Sequence, residues 1–211
     1  AKSMPKSSIN IFICNKRIAD QFKIRKILSK QFKNKYKLIK IKRTTKGQAN
    51  TCLLAKKYLK KNDKIFIHSC DSLINFETNN LIKDLNDYEG IIYTTKANKI
   101  HVKNSKSYGW ANLRKNKIYK ISCKKKASSY PKNDLVIIGS FAFKNKKIFL
   151  KLTKQLFQSK QKINNEYYLD MVFKVAFENG HKIKNVKVNS YYSWGTPEEL
   201  TNWEKNLKKN Y

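Results

Sequence analysis

The chain has 211 residues, of which 40% are hydrophobic, so it is long enough to bury a well-formed core. Its formal net charge is +33, but only four of its 47 basic residues are arginines, and sequence-specific nucleic-acid readers rely on arginine; we therefore expect non-specific affinity for polyanions and no specific nucleic-acid partner. No stretch reaches the ~20 apolar residues of a membrane span, and the first residues are polar, so we expect a cytoplasmic protein.

The first half of the chain alternates predicted strands and helices. This alternation is typical of a parallel sheet that is covered by helices. Strands are predicted at 9–14, 36–41 and 64–67, and helices at 17–32 and from residue 49 onward.

The second half contains shorter strands and then returns to helices. A hairpin is predicted over 107–121, and Gly139 marks the expected position of a bulge in a long strand. No linker interrupts the pattern, so we expect one domain over 1–211. The remaining predictions are helices at 79–85, 146–159, 165–179 and 197–207, and strands at 90–94, 135–143 and 182–188.

Two positions in the first half suggest a nucleotide site. Asp71 follows an apolar strand, and ligands bind at the C-terminal ends of strands in open α/β sheets. Mg²⁺ is held by one or two carboxylates together with water and substrate phosphates, which favours Asp71 as a metal ligand; the alternative is an Asp that caps the turn. Gly47 opens the preceding helix, and taken alone it indicates only a flexible helix entry.

Three segments in this order, 46–51, 68–71 and 194–200, resemble the sugar-1-phosphate nucleotidyltransferases, the pyrophosphorylases that make nucleotide sugars. The resemblance spans roughly residues 9–203. It implies an α/β, Rossmann-like (GT-A type) fold, with a mixed, mainly parallel sheet flanked by helices and a small β subregion for the sugar. It further implies a Mg²⁺-dependent enzyme of polysaccharide biosynthesis that joins a nucleoside triphosphate to a sugar-1-phosphate and releases pyrophosphate.

The same resemblance implies roles for individual residues. Asp170 lies one residue short of the family's usual second metal ligand, and Glu166 equally suits the start of a helix. Residues 194–200 match the segment that starts the last helix of the family, which is a structural signature. The implied catalytic residues are Asp71 and Lys124, the base-binding residues Gly47, Gln48, Ala49 and Thr51, the substrate-binding residues Gly139 and Glu166, and the Mg²⁺ ligands Asp71 and Asp170.

The chain departs from the family pattern in two places. Cys123 stands where the family usually has a sugar-contacting glutamate. The family's N-terminal Gly-rich loop and early lysine have no counterpart, since residues 1–8 correspond to the end of the helix that follows that loop. Either the chain is a fragment or it is a member that has lost its phosphate cradle; we favour a fragment, and the absence of the first strand and loop can make this chain alone inactive.

Other functions remain open from the sequence. The first alternative is a non-catalytic nucleotide- or sugar-binding relative, and the second, based on charge alone, is a nucleic-acid-binding protein. A related glycosyltransferase usually carries Asp-x-Asp, and residues 71–73 lack the second carboxylate. The four cysteines form no Cys-x-x-Cys pair, so neither a zinc site nor a disulfide framework is expected.

Overall fold

The computed structural model describes residues 5, 9–33, 35–74 and 78–208. The expected correspondence of residues 1–8 to a helix end lies almost wholly outside these residues. The described strands are β1 (Asn10–Asn15), β2 (Tyr36–Ile41), β3 (Ile65–His68), β4 (Ser72–Ile74), β5 (Gly90–Lys96), β6 (Gly109–Arg114), β7 (Lys117–Cys123), β8 (Leu135–Phe143), β9 (Ile183–Lys187) and β10 (Tyr191–Ser193).

Helices lie between most of these strands, and two short 3-10 helices occupy Leu54–Tyr58 and Ser105–Ser107. Within the described ranges, no helix is both long and apolar enough to cross a membrane. The described α-helices are α1 (Lys16–Gln21), α2 (Ile24–Phe32), α3 (Gln48–Leu53), α4 (Thr78–Asp87), α5 (Lys99–Lys103), α6 (Lys146–Gln158), α7 (Leu169–Glu178) and α8 (Pro197–Lys208).

Strand β8 lies in the middle of a six-stranded sheet. One of its edges pairs antiparallel with β5, which pairs in parallel with β9. The other edge is shared by β3 and β6, and β7 follows as the hairpin partner of β6. Strands β3, β5, β6 and β9 therefore run in one direction, and β7 and β8 run in the other. This mixed sheet with flanking helices confirms the expected α/β fold class.

Gly139 marks the point where β8 changes its neighbour. Its φ of 69° lies in the left-handed region that favours glycine. On the opposite edge, the register with β5 shifts between Ile92 and Thr94. The irregularity expected at Gly139 is confirmed, and it divides β8 into a half beside β6 and a half beside β3.

The hydrophobic core has two layers, one on each face of this sheet. Alternate residues of a strand point to opposite faces. Phe141 and Phe143 accordingly pack with α6 and α7, whereas Ile138 and Ala142 pack with Leu85 and other residues on the α4 side.

The first two strands form a separate two-stranded parallel sheet. We call residues 10–41, which comprise β1, α1, α2 and β2, the N-terminal unit. The helix predicted at 17–32 is wrong as a continuous element, because Lys23 adopts a left-handed conformation (φ 48°) and separates α1 from α2. Apolar spacing continues across this break, so periodicity alone could not reveal it.

Two further differences affect the site. The helix predicted from residue 165 begins only at Leu169. Asn164 and Asn165 have left-handed φ values of 49° and 62°, and a β-bridge joins Ile163 to Glu166, so Glu166 lies in a turn instead of a helix. The antiparallel pair of β4 and β10 was not predicted, since each strand has three residues.

Candidate functional site

Asp71 lies in the turn between β3 and β4 and is exposed. Because β4 pairs with β10, the following residue Trp194 reaches this turn, and its amide donates to the Asp71 carbonyl at 3.0 Å. Gly195 lies against the carboxylate, since a Cβ placed there would be 2.9 Å from Asp71 Oδ2. The pairing of two short strands therefore brings the end of β3 beside the segment that starts α8.

His68 holds the Asp71 turn from inside the sheet. Its Nε2 lies 3.0 Å from the Ser72 carbonyl oxygen, and its Nδ1 lies 2.7 Å from Ser140 Oγ. A carbonyl can only accept, so Nε2 carries the proton and Nδ1 accepts from the Ser140 hydroxyl. Burial lowers the pKa of His68, which favours this neutral form over the weaker opposing influences of the Ser72 hydrogen bond and of Asp71.

Gly139 contacts the same turn. The Ser69 amide donates to the Gly139 carbonyl at 3.1 Å, and a Cβ at Gly139 would be 2.8 Å from Ser69 Oγ. Close packing against the turn that carries Asp71 is therefore sufficient to explain a glycine at position 139. Its substrate-binding role stays a prediction.

Gly47 makes a close backbone contact with the segment before α7. The Tyr167 amide donates to Lys46 O, and the Ala49 amide donates to Tyr167 O, both at 2.9 Å. Gly47 has a φ of 106°, and a Cβ there would be 2.5 Å from the Tyr167 nitrogen. A side chain is therefore excluded at Gly47 by the protein itself.

The other residues predicted to bind the base also have protein partners. Gln48 Oε1 accepts from the Leu169 amide at 3.3 Å, and Ala49 is fully buried. The Thr51 hydroxyl lies 2.6 Å from the hydroxyl of Thr45. These contacts join the start of α3 to the start of α7, so the two predicted binding segments are neighbours.

Lys124, Tyr168 and Glu166 form a group that we call the Lys124 cluster. Lys124 Nζ donates to Ser107 O at 2.7 Å and lies 4.9 Å from the centre of the Tyr168 ring. A hydrogen bond to Glu166, together with burial, raises the pKa of Tyr168 to about 12. The predicted catalytic residue Lys124 and the predicted substrate-binding residue Glu166 thus both contact the Tyr168 side chain.

Asp170 is buried behind this cluster. Its Oδ1 accepts from Cys123 Sγ and from the Met171 amide, both at 3.0 Å, and a Cβ at Gly109 would be 2.4 Å from its Oδ2. Burial raises the pKa of Asp170 despite the Cys123 hydrogen bond and the positive charge of Lys124. Both oxygens are enclosed by protein, so Asp170 is poorly suited to a hydrated cation.

The donors around Asp71 fit Mg²⁺ better. Across the described residues, no group of three or more His, Cys, Asp and Glu side chains could hold a metal. Mg²⁺ does not need such a group, because it commonly binds one or two carboxylates and takes its other ligands from water and substrate phosphates. An exposed carboxylate at the end of a strand meets this requirement, and Asp71 is such a group.

Sequence reasoning missed two residues that connect these parts. Tyr108 Oη donates to Glu199 Oε1 at 2.7 Å, and the Tyr108 carbonyl accepts from the Lys124 amide at 3.0 Å. Glu199 Oε2 lies 3.7 Å from a Cβ placed at Gly195, the residue that faces Asp71. A Tyr-Gly pair at the start of a strand and a glutamate three residues after a helix N-cap were the available signals.

Contacts therefore run from one predicted site residue to the next. Asp71 faces Gly195, which adjoins Glu199. Glu199 accepts a hydrogen bond from the Tyr108 hydroxyl, and the Tyr108 carbonyl accepts one from the Lys124 amide. The Lys124 cluster continues through Tyr168 and its neighbour Tyr167 to the start of α3. Asp170 lies close to this series but remains buried under Cys123.

No family model matches the chain, and no significant match was found among curated proteins. Solved structures do resemble it. The nucleoside-diphosphate-sugar pyrophosphorylase from Vibrio cholerae RC9 has a TM-score of 0.73 at 17% identity, covering 92% of this chain and 80% of its own. A UDP-glucose pyrophosphorylase complexed with UDP-glucose has a TM-score of 0.68 at 15% identity, covering 96% and 82%.

The inositol-1-phosphate CTP transferase from T. maritima has a TM-score of 0.63 at 15% identity, covering 95% of this chain and 75% of its own. At these identities the similarity shows the fold alone, which this chain shares with the three solved structures. It leaves the roles of individual residues as predictions.

Proposed function

We propose that this protein is a nucleotidyltransferase that joins a nucleoside triphosphate to a sugar-1-phosphate. An oxygen of the sugar phosphate attacks the α-phosphorus, the bond from that phosphorus to the β-phosphate oxygen breaks, and pyrophosphate leaves. The observation that carries this proposal is the accessible Asp71 carboxylate, connected through Tyr108 to the Lys124 cluster, in a fold shared with pyrophosphorylases.

In this proposal Asp71 holds Mg²⁺, which would neutralise charge on the triphosphate. Lys124 supplies a positive charge for the sugar phosphate, and Glu166 accepts from sugar hydroxyls. The segment from Gly47 to Thr51 borders the base, with its backbone fixed by Tyr167. The protein contributes mainly positioning and charge neutralisation, which is what phosphoryl-type transfers require.

A second candidate function is ligand binding without turnover. Cys123 replaces a carboxylate, and burial, aided by the negative charge of Asp170, raises the pKa of its thiol, so this position stays neutral at physiological pH. A sugar hydroxyl that would donate a hydrogen bond to the family's glutamate has no charged acceptor at this position. This candidate predicts binding of nucleotide and sugar phosphate with no release of pyrophosphate, even after the family's N-terminal strand and loop are restored.

The test is Asp71→Asn in the full chain. We expect Mg²⁺-dependent binding of nucleoside triphosphate, measured by calorimetry, to weaken at least about tenfold, because the charge that holds the cation is removed. Asp63→Asn is the matched control: Asp63 precedes β3 at its other end and accepts from the Lys60 amide.

Unchanged Mg²⁺-dependent binding in Asp71→Asn contradicts the role given to Asp71. Pyrophosphate release from wild-type protein with both substrates excludes the binding-only candidate. Tight binding of both substrates with no pyrophosphate release, even after the family's N-terminal strand and loop are restored, supports that candidate and contradicts the transferase.

A further inference from the structure

Tyr108 and Glu199 are 91 residues apart in sequence and joined by one short hydrogen bond. Tyr108 directly precedes β6, and Glu199 lies in the first turn of α8. Glu199 is buried with 8% exposure. Each of the two distant segments that this contact joins also holds one side of the proposed site.

Glu199 organises the segment that faces Asp71. Its Oε2 accepts from the Ser193 hydroxyl at 2.9 Å and from the Thr196 amide at 3.1 Å, while Thr196 Oγ1 accepts from the Glu199 amide at 3.2 Å. The last two bonds form a reciprocal capping box. Together they fix the turn around Gly195, against which the Asp71 carboxylate lies.

Tyr108 organises the other side. Its carbonyl accepts from the Lys124 amide, and the preceding Ser107 carbonyl accepts from Lys124 Nζ. The Tyr108 ring packs edge-on against His101, with ring centres 4.9 Å apart. Both ends of the Lys124 residue are therefore tied to the two residues before β6.

We propose that the Tyr108–Glu199 hydrogen bond is the positioning contact that sets Asp71 relative to Lys124. Neither residue contacts substrate in this proposal, and it rests on the proposed function. The contact aligns the triphosphate side of the site with the sugar-phosphate side. In-line transfer is sensitive to such alignment, because a displacement near 1 Å can cost about 100-fold in rate.

Tyr108→Phe tests this inference, since it deletes the hydroxyl and keeps the ring against His101. We expect kcat for pyrophosphate release to fall at least about tenfold, with KM for the triphosphate within about twofold of wild type, because alignment is lost while binding groups remain. Amide hydrogen exchange of 69–74 and 193–199 should accelerate. Tyr36→Phe is the control, since it removes a hydroxyl bonded to Ser29 in the N-terminal unit.

A double variant separates positioning from general stability. If Tyr108 acts through Glu199, adding Tyr108→Phe to Glu199→Ala lowers kcat by much less than tenfold further. Independent, additive losses in the double variant overturn the proposal. So does Tyr108→Phe with wild-type kcat and wild-type exchange in both segments.

Amide hydrogen exchange distinguishes failure of the proposed function from failure of the Tyr108–Glu199 positioning contact. Wild-type protein that shows no turnover even with the family's N-terminal strand and loop restored contradicts the proposed function. In that case, faster exchange at both 69–74 and 193–199 in Tyr108→Phe still supports the physical link, and unchanged exchange there refutes it.

Discussion

The N-terminal unit differs from the central sheet, by which we mean the six-stranded sheet and the helices packed on it. The two regions are built from similar sequence patterns but bury very different fractions of their side chains. Helices α1 and α2 each contain one buried residue, Ala19 and Leu28; Phe22, which follows α1, is 56% exposed, and Ile27 in α2 is 53% exposed. Helix α7 buries seven of its ten residues. Apolar spacing indicates a helix in both regions, but it does not show how much of the apolar face is covered.

This difference matters for the site. The Lys124 cluster is supported by β7, by the segment before α7 and by the core beneath them. The N-terminal unit contacts this region through the chain that follows β2, where Lys46 and Ala49 bond to Tyr167. We therefore expect the central sheet to set global stability and the N-terminal unit to open locally.

The largest expected effect comes from Phe173→Ala. Phe173 is fully buried, with ring centres 5.2 Å from Phe141 and 4.9 Å from Phe143. We expect the free energy of unfolding, measured in urea, to fall by about 3–5 kcal/mol, because a cavity forms in the main core.

Leu28→Ala is the counterpart in the N-terminal unit. We expect faster amide exchange in 10–41 and little change in exchange of the β5 and β8 amides. A global loss as large as that of Phe173→Ala would show that the two regions unfold as one, and the comparison would then be wrong.

Much of this fold could be predicted because its elements carry local signals. Strands β2 and β8 begin and end at the expected residues, since β2 mixes apolar residues with lysines in a strand-like pattern and β8 is an apolar run bounded by polar segments. The break at Lys23 and the late start of α7 could not be predicted, because lysine and asparagine took left-handed conformations without a glycine or proline to mark them.

The candidate site shows the same limit. Asp71 and Lys124 were predicted from a strand end and from a family resemblance. Tyr108 and Glu199 were missed, because their partners are almost a hundred residues away and only tertiary structure brings them together. Asp170 matched a motif position, but its burial under Cys123 depends on how α7 packs against β7.

A smaller effect is expected where the two regions join. Gly47→Ala forces a Cβ to 2.5 Å from the Tyr167 backbone at a φ of 106°, which should cost about 1–3 kcal/mol and accelerate exchange of the Ala49 amide. Gly180→Ala is the matched control: its φ is 76° but nothing lies within 4 Å of a Cβ there. An equal loss in both variants would mean that backbone conformation, and not the contact with Tyr167, explains Gly47.

The smallest effect is a pH dependence confined to the central sheet. Burial lowers the pKa of His68, so the unfolded chain binds its proton first, and the stability from neutral His68 is present above pH 6.5 and lost as the pH falls through its lower folded pKa. His68→Gln, which can still donate to Ser72 O, should therefore lose less stability than wild type between pH 7 and 5, by at most about 1.4 kcal/mol per pH unit.

Asp20 in the N-terminal unit, whose hydrogen bonds to Lys16 and Lys40 hold its pKa at about 2, stays charged throughout this range and serves as the contrast. Identical urea midpoints at each pH for wild type and His68→Gln would show that protonation of His68 does not destabilise the folded protein. The description of neutral His68 as the residue that holds the Asp71 turn would then be wrong.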